Sequence, residues 1–227
     1  MPPSVLPVPG SASELFSLLP AGAVHRGPPV LLGLAGAPGA GKSTLASYLA
    51  SLLPDSAVVP MDGFHLADVE LTRRGLLERK GAPETFDTWG YAALLARLRA
   101  RPDHVVMAPG FDRDLEQPLA GAIPVAPSVS LVVTEGNYLL LDSPGWAAAR
   151  RSLDAVWHLD CDPAVRLPRL VARHEASGKS PAAARAWVSA VDEPNAALVE
   201  AARSRADLVL DVTGWDGPRE GVSPAGR

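Results

Sequence analysis

Residues 30–45 read VLLGLAGAPGAGKSTL, and this stretch decides the fold. Its apolar first part, residues 30–35, is typical of a buried parallel strand, and the turn that follows fits the pattern G-x-x-x-x-G-K-[ST]. Glycines in such a turn permit backbone angles that direct successive N–H groups towards one phosphate. A helix begins directly after the turn, so its positive end faces the same anion. The residues that we expect to bind the phosphates are Gly36, Ala37, Pro38, Gly39, Ala40, Gly41, Lys42, Ser43 and Thr44.

Two side chains of this loop carry specific expectations. Lys42 can reach the β- and γ-phosphates of a nucleotide, and Ser43 can bind Mg²⁺. A Gly-rich turn can match the pattern by chance, but this one also lies between an apolar strand and an amphipathic helix, which is the context that the pattern requires. We therefore expect ATP and Mg²⁺ as cofactors.

Four further apolar runs also resemble buried parallel strands, and helical patterns separate them. This alternation predicts an α/β fold in which helices flank a five-stranded parallel sheet. A shorter run, residues 104–107, is expected to pair elsewhere. The Pro-rich residues 1–10 predict a loose tail, residues 11–212 a single domain and residues 213–227 a disordered tail. The four runs are residues 57–61, 131–134, 155–159 and 207–212.

The spacing of these runs is uneven. About seventy residues separate the second run from the third, which is far more than a crossover between parallel strands needs. The extra chain leaves from the carboxyl end of a strand, and ligands of open α/β sheets bind at that edge. We therefore expect residues 62–128 to form the substrate-binding region.

Two acidic residues directly follow apolar strands. Asp62 comes after the run 57–61, and Glu135 comes after the run 131–134. At the edge that holds the phosphate loop, one carboxylate can bind Mg²⁺ or its waters, and another can accept the proton of an attacking hydroxyl group. The alternative is that each residue simply ends its strand.

Three arginines share one face of a predicted helix. Asp162 and Pro163 are typical of a helix start, and Arg166, Arg169 and Arg173 follow at spacings of three and four. Arginines that lie over a γ-phosphate stabilise the charge of its transfer, so the sequence predicts a lid over residues 162–180. A solvated surface stripe would show the same spacing.

The composition narrows the class of protein. The net charge of −4 argues against a protein built to bind nucleic acid, and no apolar stretch is long enough to cross a membrane. Cys161 is the single cysteine, so an internal disulfide is impossible, which fits a cytoplasmic location. The sequence does not decide between a monomer and a homodimer.

Two phrases add a resemblance to a known family. Residues 61–65 read MDGFH and residues 133–138 read VTEGNY. With the phosphate loop and the arginine helix, they make the chain resemble the superfamily of uridine kinase, type I pantothenate kinase and phosphoribulokinase. It is most similar to bacterial nucleoside/nucleotide kinase family proteins, some of which are named fructose-transport kinases. The resemblance covers residues 28–212.

The resemblance implies roles for particular residues. Asp62 would be the general base and lie close to the metal, and Ser43 and Glu135 would help to hold Mg²⁺. The three arginines would belong to a mobile lid. The residues on the substrate side would be His65, Phe86, Phe111, Asp112 and Arg113.

Two departures from uridine kinases fall on this substrate side. Residues 114–118 lack the histidine that would touch the base, and His65 replaces a usual tyrosine. The predicted function is therefore an ATP-dependent kinase whose hydroxyl acceptor is a nucleoside, a sugar or a pantothenate-like molecule. An ATP-binding regulator is an alternative. A GTPase is another, but neither Asn137 nor Asn195 is followed by the lysine of a guanine-reading element.

Overall fold

The computed structural model describes residues 3–23 and 28–217 of the chain. The strands within these ranges are β1 (Val5–Pro7), β2 (Val30–Gly36), β3 (Ser56–Pro60), β4 (Val106–Asp112), β5 (Gln117–Val125), β6 (Leu131–Glu135), β7 (Ala155–Asp160) and β8 (Leu208–Asp211). The α-helices are α1 (Ala12–Ser17), α2 (Lys42–Leu52), α3 (Asp68–Arg74), α4 (Thr88–Arg99), α5 (Pro144–Arg150), α6 (Pro163–Ala176), α7 (Pro181–Trp187) and α8 (Glu193–Ala201).

Six of the strands form one parallel sheet, in the order β1-β8-β7-β2-β6-β3. Both faces of β2 and β6 are buried, as their continuous apolar runs predict. One apolar cluster packs α4 and α5 against the sheet, and a second packs α1 and α2 against it. The predicted parallel α/β fold is confirmed, with β2, β3, β6, β7 and β8 as the five expected strands.

The sixth strand lies where the sequence predicts a loose tail. Residues 5–7 form β1, which pairs with β8 at the edge of the sheet, with Val5 opposite Val209. An edge strand tolerates proline because one row of its backbone groups needs no partner, so Pro7 does not prevent this pairing. The prediction of a loose tail is wrong for residues 5–7, and residues 1–2 lie outside the described residues.

The long insertion after β3 is folded, and it contains α3, α4 and the antiparallel hairpin of β4 and β5. The run 104–107 contributes the start of this hairpin. Its strand β4 packs against the turn Met61–Phe64, where a Cβ atom on Gly63 would lie 2.5 Å from the carbonyl oxygen of Pro109. Only glycine permits this approach, which fixes the hairpin beside the end of β3.

The predicted lid continues beyond residue 180. Helices α6 and α7 pack together, and a wide π-helical turn, Val188–Asp192, leads directly into α8. Asp162 caps α6 by accepting a hydrogen bond from the backbone N–H of Ala164 at 2.7 Å. The three helices and the wide turn together form the helical wall over the phosphate loop.

The chain after β8 packs on the domain as far as it is described. The Trp215 ring lies 6.3 Å from the Tyr48 ring of α2, between ring centroids. Residues 213–217 therefore differ from the predicted disordered tail, and residues 218–227 lie outside the described residues. Within the described ranges, we find no helix with the length and apolarity that a membrane crossing requires.

Candidate active site

A cavity of about 880 Å³ opens at the carboxyl edge of the sheet. The phosphate loop, the insertion and the helical wall all contribute to its lining. Residues 38–44 line it directly, whereas Gly36 and Ala37 are buried. Gly39 adopts a φ of 82°, and a Cβ atom there would lie 3.2 Å from the Arg166 side chain. The phosphate loop and α6 are therefore in close contact.

Lys42 is held inside the phosphate loop. Its Nζ atom donates hydrogen bonds to the carbonyl oxygens of Gly36 at 2.9 Å and Ala37 at 3.1 Å, and to Asn137 Oδ1 at 2.6 Å. Burial lowers the pKa of Lys42 to about 8, although the negative charges of Glu135 and Asp62 oppose the shift. The site thus holds a desolvated cation that an anionic phosphate would stabilise.

Ser43 and Glu135 form a second polar pair. The Ser43 hydroxyl donates to Glu135 Oε1 at 2.9 Å, and Glu135 is almost fully buried at the end of β6. Desolvation, and then the nearby charge of Asp62, raise the pKa of Glu135. A buried carboxylate beside a hydroxyl suits a hard cation, and phosphate oxygens and water would complete the coordination of Mg²⁺. Ser43 and Glu135 therefore fit the predicted metal.

Asp62 stands beside this pair. Strands β3 and β6 are neighbours, with Pro60 opposite Glu135, so the residue two positions beyond Pro60 reaches the same edge. Arg113 of the hairpin turn donates from Nη2 to Asp62 Oδ2 at 2.7 Å and fixes one carboxylate oxygen. The Asp62 side chain is 27% exposed and lines the cavity, so a ligand can reach it.

The three lid arginines have different surroundings. Arg166 is buried and donates to the Pro38 carbonyl at 3.1 Å and to Glu193 at 2.5 Å. Through these partners, Arg166 connects the helical wall to the phosphate loop. Arg169 and Arg173 line the cavity, and Arg173 lies close enough for its charge to act on Lys42.

The predicted substrate residues separate into two groups. The His65 ring lies 4.0 Å from the Phe86 ring and 4.9 Å from the Phe111 ring, and the Arg113 guanidinium lies 5.0 Å from the Phe111 centroid. These four residues line the cavity. Asp112 does not, because its Oδ1 accepts the backbone N–H groups of the two residues after Arg113, each at 2.9 Å. Its carboxylate holds the hairpin turn.

The sequence analysis did not identify several of the residues that line the cavity. Lys80 donates to Asp68 Oδ1 at 2.6 Å and to a backbone carbonyl of the hairpin turn. Tyr138 is buried in the core and does not line the cavity; burial above all raises its pKa, and the charges of Glu84 and Asp192 add to the shift. Tyr138 ends the phrase of residues 133–138, whereas Lys80 and Asp192 lie outside both phrases. The other unpredicted residues of the lining include Asn137, His174, Asn195 and Trp215.

Three relatives resemble the chain. A protein of Schizosaccharomyces pombe, named provisionally as a uridine kinase, is 36% identical over 159 residues, which are 66% of this chain and 68% of that protein. The pantothenate kinase of a Nocardioides species is 35% identical over 118 residues, which are 49% of this chain and 36% of that enzyme. A solved structure from Silicibacter, named provisionally as a fructose transport system kinase, superposes with a TM-score of 0.76 at 42% identity. It covers 87% of this chain and 95% of its own. No protein-family model matches the chain.

The fold and the site define a P-loop kinase that acts on a small molecule. The chain belongs to the family of P-loop kinases that includes uridine kinase and pantothenate kinase. The expectation of a phosphotransferase is thereby confirmed, and the acceptor is still to be identified.

Proposed function

We propose that the chain transfers the γ-phosphate of ATP to a hydroxyl group of a nucleoside, sugar or pantothenate-like acceptor. One observation carries the proposal: Asp62, Lys42 and the Ser43–Glu135 pair line a single cavity. A regulator that only binds nucleotide would need the phosphate loop, but it would have no use for a reachable carboxylate beside it.

Asp62 is the proposed general base. The oxygen that Arg113 does not hold is available to a hydroxyl group of the acceptor, and removal of the hydroxyl proton makes the oxygen a better nucleophile. The proton passes to the Asp62 carboxylate while the acceptor oxygen attacks the γ-phosphorus in line, and the bond between the γ-phosphorus and the β–γ bridging oxygen breaks, so that ADP leaves. Arg113 limits the rotation of Asp62, so the carboxylate is already oriented before the acceptor binds.

Other residues that line the cavity would stabilise the negative charges of the phosphates. Phosphate oxygens would take the place of the carbonyl groups that Lys42 now contacts, while Asn137 keeps the ammonium group in position. Ser43 and Glu135 would hold Mg²⁺, which would neutralise charge on the phosphates and orient them when bound. Arg169 and Arg173 add positive charge from the lid side as the γ-phosphoryl group departs.

The Asp62→Asn variant tests this proposal, because asparagine has the same shape and cannot take the proton. With a compound that the wild type phosphorylates, kcat should fall at least about 100-fold, and the dissociation constant of Mg·ATP should change by only a few-fold. ADP release and nucleotide titration measure the two quantities. Asp103→Asn is the matched control, because the Asp103 side chain is fully exposed, and it should match the wild type.

Two outcomes would count against Asp62 as the base. Weaker ATP binding with little change in kcat would make Asp62 a metal or structural residue. An unaltered enzyme would mean that another group, such as His65, or the phosphate oxygens accept the proton.

A further inference from the structure

The helical wall brings to the cavity a lysine that the phosphate chemistry does not use. Lys179 follows the end of α6 and lines the cavity. Gly178 has a φ of 91°, and this left-handed turn lets the backbone N–H of Lys179 donate to the His174 carbonyl at 3.1 Å. The Lys179 ammonium group lies 4.9 Å from the Trp187 ring centroid. Both the backbone and the side chain of Lys179 are therefore held in place.

The start of α6 shows in which direction this helix runs. The Asp162 backbone N–H donates to the Thr213 hydroxyl group at 3.0 Å, so α6 begins beside the end of β8. Further along, the helix lies over the phosphate loop, since a Cβ atom on Gly39 would lie 3.5 Å from the Cβ atom of Leu170. The helix therefore crosses the sheet edge from the β8 side towards β2.

The remaining length of α6 leads to the other side of the sheet edge. From Leu170 to Ala176 the helix rises by about 9 Å. The sheet order puts β6 and β3 beyond β2, and two strand spacings measure about 10 Å. The end of α6, with Lys179, thus lies on the side of Asp62 and the insertion. We call this part of the cavity the acceptor end.

The charge of Lys179 has no counter-charge within the protein. Three cations that line the cavity form no ion pair with a residue of the described ranges, and they are Lys42, Arg173 and Lys179. The phosphates of ATP account for Lys42 and, on the lid, for Arg173. Lys179 is left over, and an anionic ligand would stabilise a partly buried ammonium group of this kind.

The insertion side of the acceptor end has the opposite character. Each of its two cations is bonded to a carboxylate, and Glu116 adds a further carboxylate next to Lys80, which donates to the Glu116 backbone carbonyl. This side therefore suits a hydroxyl group, which can donate to a carboxylate, and repels an anion. The bonded pairs are Asp62 with Arg113 at 2.7 Å and Asp68 with Lys80 at 2.6 Å.

One carboxylate of the helical wall lies close to this lysine along the fold. Asp192 Oδ2 is 2.8 Å from His174 Nε2, and Asp192 forms no ion pair with Lys179. The histidine thus holds the Asp192 carboxylate and leaves the ammonium group to a ligand. A molecule with a hydroxyl group at Asp62 and a negative charge at Lys179 matches both sides of the acceptor end.

We propose that the phosphate acceptor carries an anionic group, either a carboxylate or a phosphate monoester, and that Lys179 binds this group while Asp62 faces the hydroxyl group that is phosphorylated. The proposal rests on the proposed function, because it concerns the acceptor of that phosphate transfer.

Matched pairs of compounds test the charge of the acceptor. The wild type, saturated with Mg²⁺ and the non-hydrolysable nucleotide AMP-PNP, is titrated with pantothenate and panthenol, glycerate and glycerol, fructose 6-phosphate and fructose, and UMP and uridine. At least one anionic member should bind saturably, at least about tenfold more tightly than its neutral partner, and less tightly as the salt concentration rises. The compound that binds shows whether the anion is a carboxylate or a phosphate monoester. If no anionic member binds more tightly than its neutral partner, the proposal is overturned.

Variants test Lys179 with the anionic compound that binds best. Lys179→Gln should weaken its binding at least about tenfold, and Lys179→Arg, which keeps the charge, should stay within a few-fold of the wild type. Both should bind AMP-PNP like the wild type. Arg185→Gln is the matched control, because it removes the same charge from an exposed position on α7 of the same wall and should change neither affinity.

Two results with Lys179→Gln would overturn the proposal. Unchanged binding of the anionic compound would show that another group binds the anion. An equal loss of AMP-PNP affinity would assign Lys179 to the nucleotide. Melting temperatures of all variants show whether they fold.

ADP release from Mg·ATP with the same compounds separates this proposal from the proposed function. Binding of an anionic compound that depends on Lys179 but gives no ADP release would contradict phosphate transfer and leave Lys179 as an anion-binding residue. ADP release with neutral compounds only would support the kinase and overturn the anionic class.

Discussion

The two ends of the cavity are built from different parts of the chain. At the phosphate end, one continuous segment, residues 36–44, supplies the backbone and the Lys42 and Ser43 side chains. At the acceptor end, side chains come from the insertion and from the helical wall, which β6, α5 and β7 separate along the chain. The first end is therefore built around one continuous segment, which Asn137, Glu135 and Arg166 contact from distant parts of the chain. The second end has no such segment and is assembled entirely from separate parts of the chain.

The largest expected effect comes from substituting one lysine at each end of the cavity, Lys42 at the phosphate end and Lys80 at the acceptor end. Lys42→Met should lower kcat/KM for ATP about 10²–10³-fold, because the phosphates lose a buried charged donor. Lys80→Met should leave the affinity for Mg·ATP within a few-fold of the wild type and weaken acceptor binding instead. Steady-state kinetics and nucleotide titration measure both, with melting temperatures as the test of folding. Equal losses of ATP affinity in the two variants would contradict the division of the cavity into a phosphate end and an acceptor end.

The next effect concerns the metal. Glu135→Gln removes a negative charge from the Ser43–Glu135 pair and should raise the Mg²⁺ concentration required for half-maximal activity by about tenfold. The measurement is a Mg²⁺ titration at saturating ATP. Asp142→Asn serves as the control, because the Asp142 side chain is 76% exposed on the surface. An unchanged Mg²⁺ requirement in Glu135→Gln would reduce Glu135 to a residue that ends its strand.

A smaller effect is expected from the lid. Arg173→Ala should lower kcat about tenfold and change the dissociation constant of ATP by no more than about twofold, because the charge it stabilises develops during transfer. Arg166→Ala should instead lower the melting temperature, since Arg166 is buried between Pro38 and Glu193. If Arg173→Ala behaves like the wild type in both measurements, a solvated surface stripe is the better interpretation.

The smallest effect concerns the position of the insertion. Gly63→Ala should lower the free energy of unfolding by about 1–3 kcal/mol, because the new methyl group would lie 2.5 Å from the Pro109 carbonyl oxygen. Gly214→Ala is the matched control, since a Cβ atom there meets nothing within 4 Å. Denaturant unfolding measures the change, and equal stabilities would show that the hairpin adjusts at no cost. The affinity for nucleotide should survive in both variants.

The sequence by itself determined the class of the protein and the phosphate end of its site. The pattern over residues 36–43 and the apolar runs predict a parallel sheet with a phosphate loop, because strand burial and turn geometry depend on residues that are close along the chain. Asp62 and Glu135 were found for the same reason, since parallel strands end at one edge of the sheet.

Only the tertiary structure decided how the remaining side chains are used. It turns Asp112 into the hairpin turn, buries Arg166 against Glu193 and completes the cavity with residues of the helical wall. It also adds β1 to the edge of the sheet through backbone hydrogen bonds, which no side-chain pattern records. These outcomes depend on which distant groups meet and which polar atoms lose water, and the order of residues within a short window does not specify such encounters.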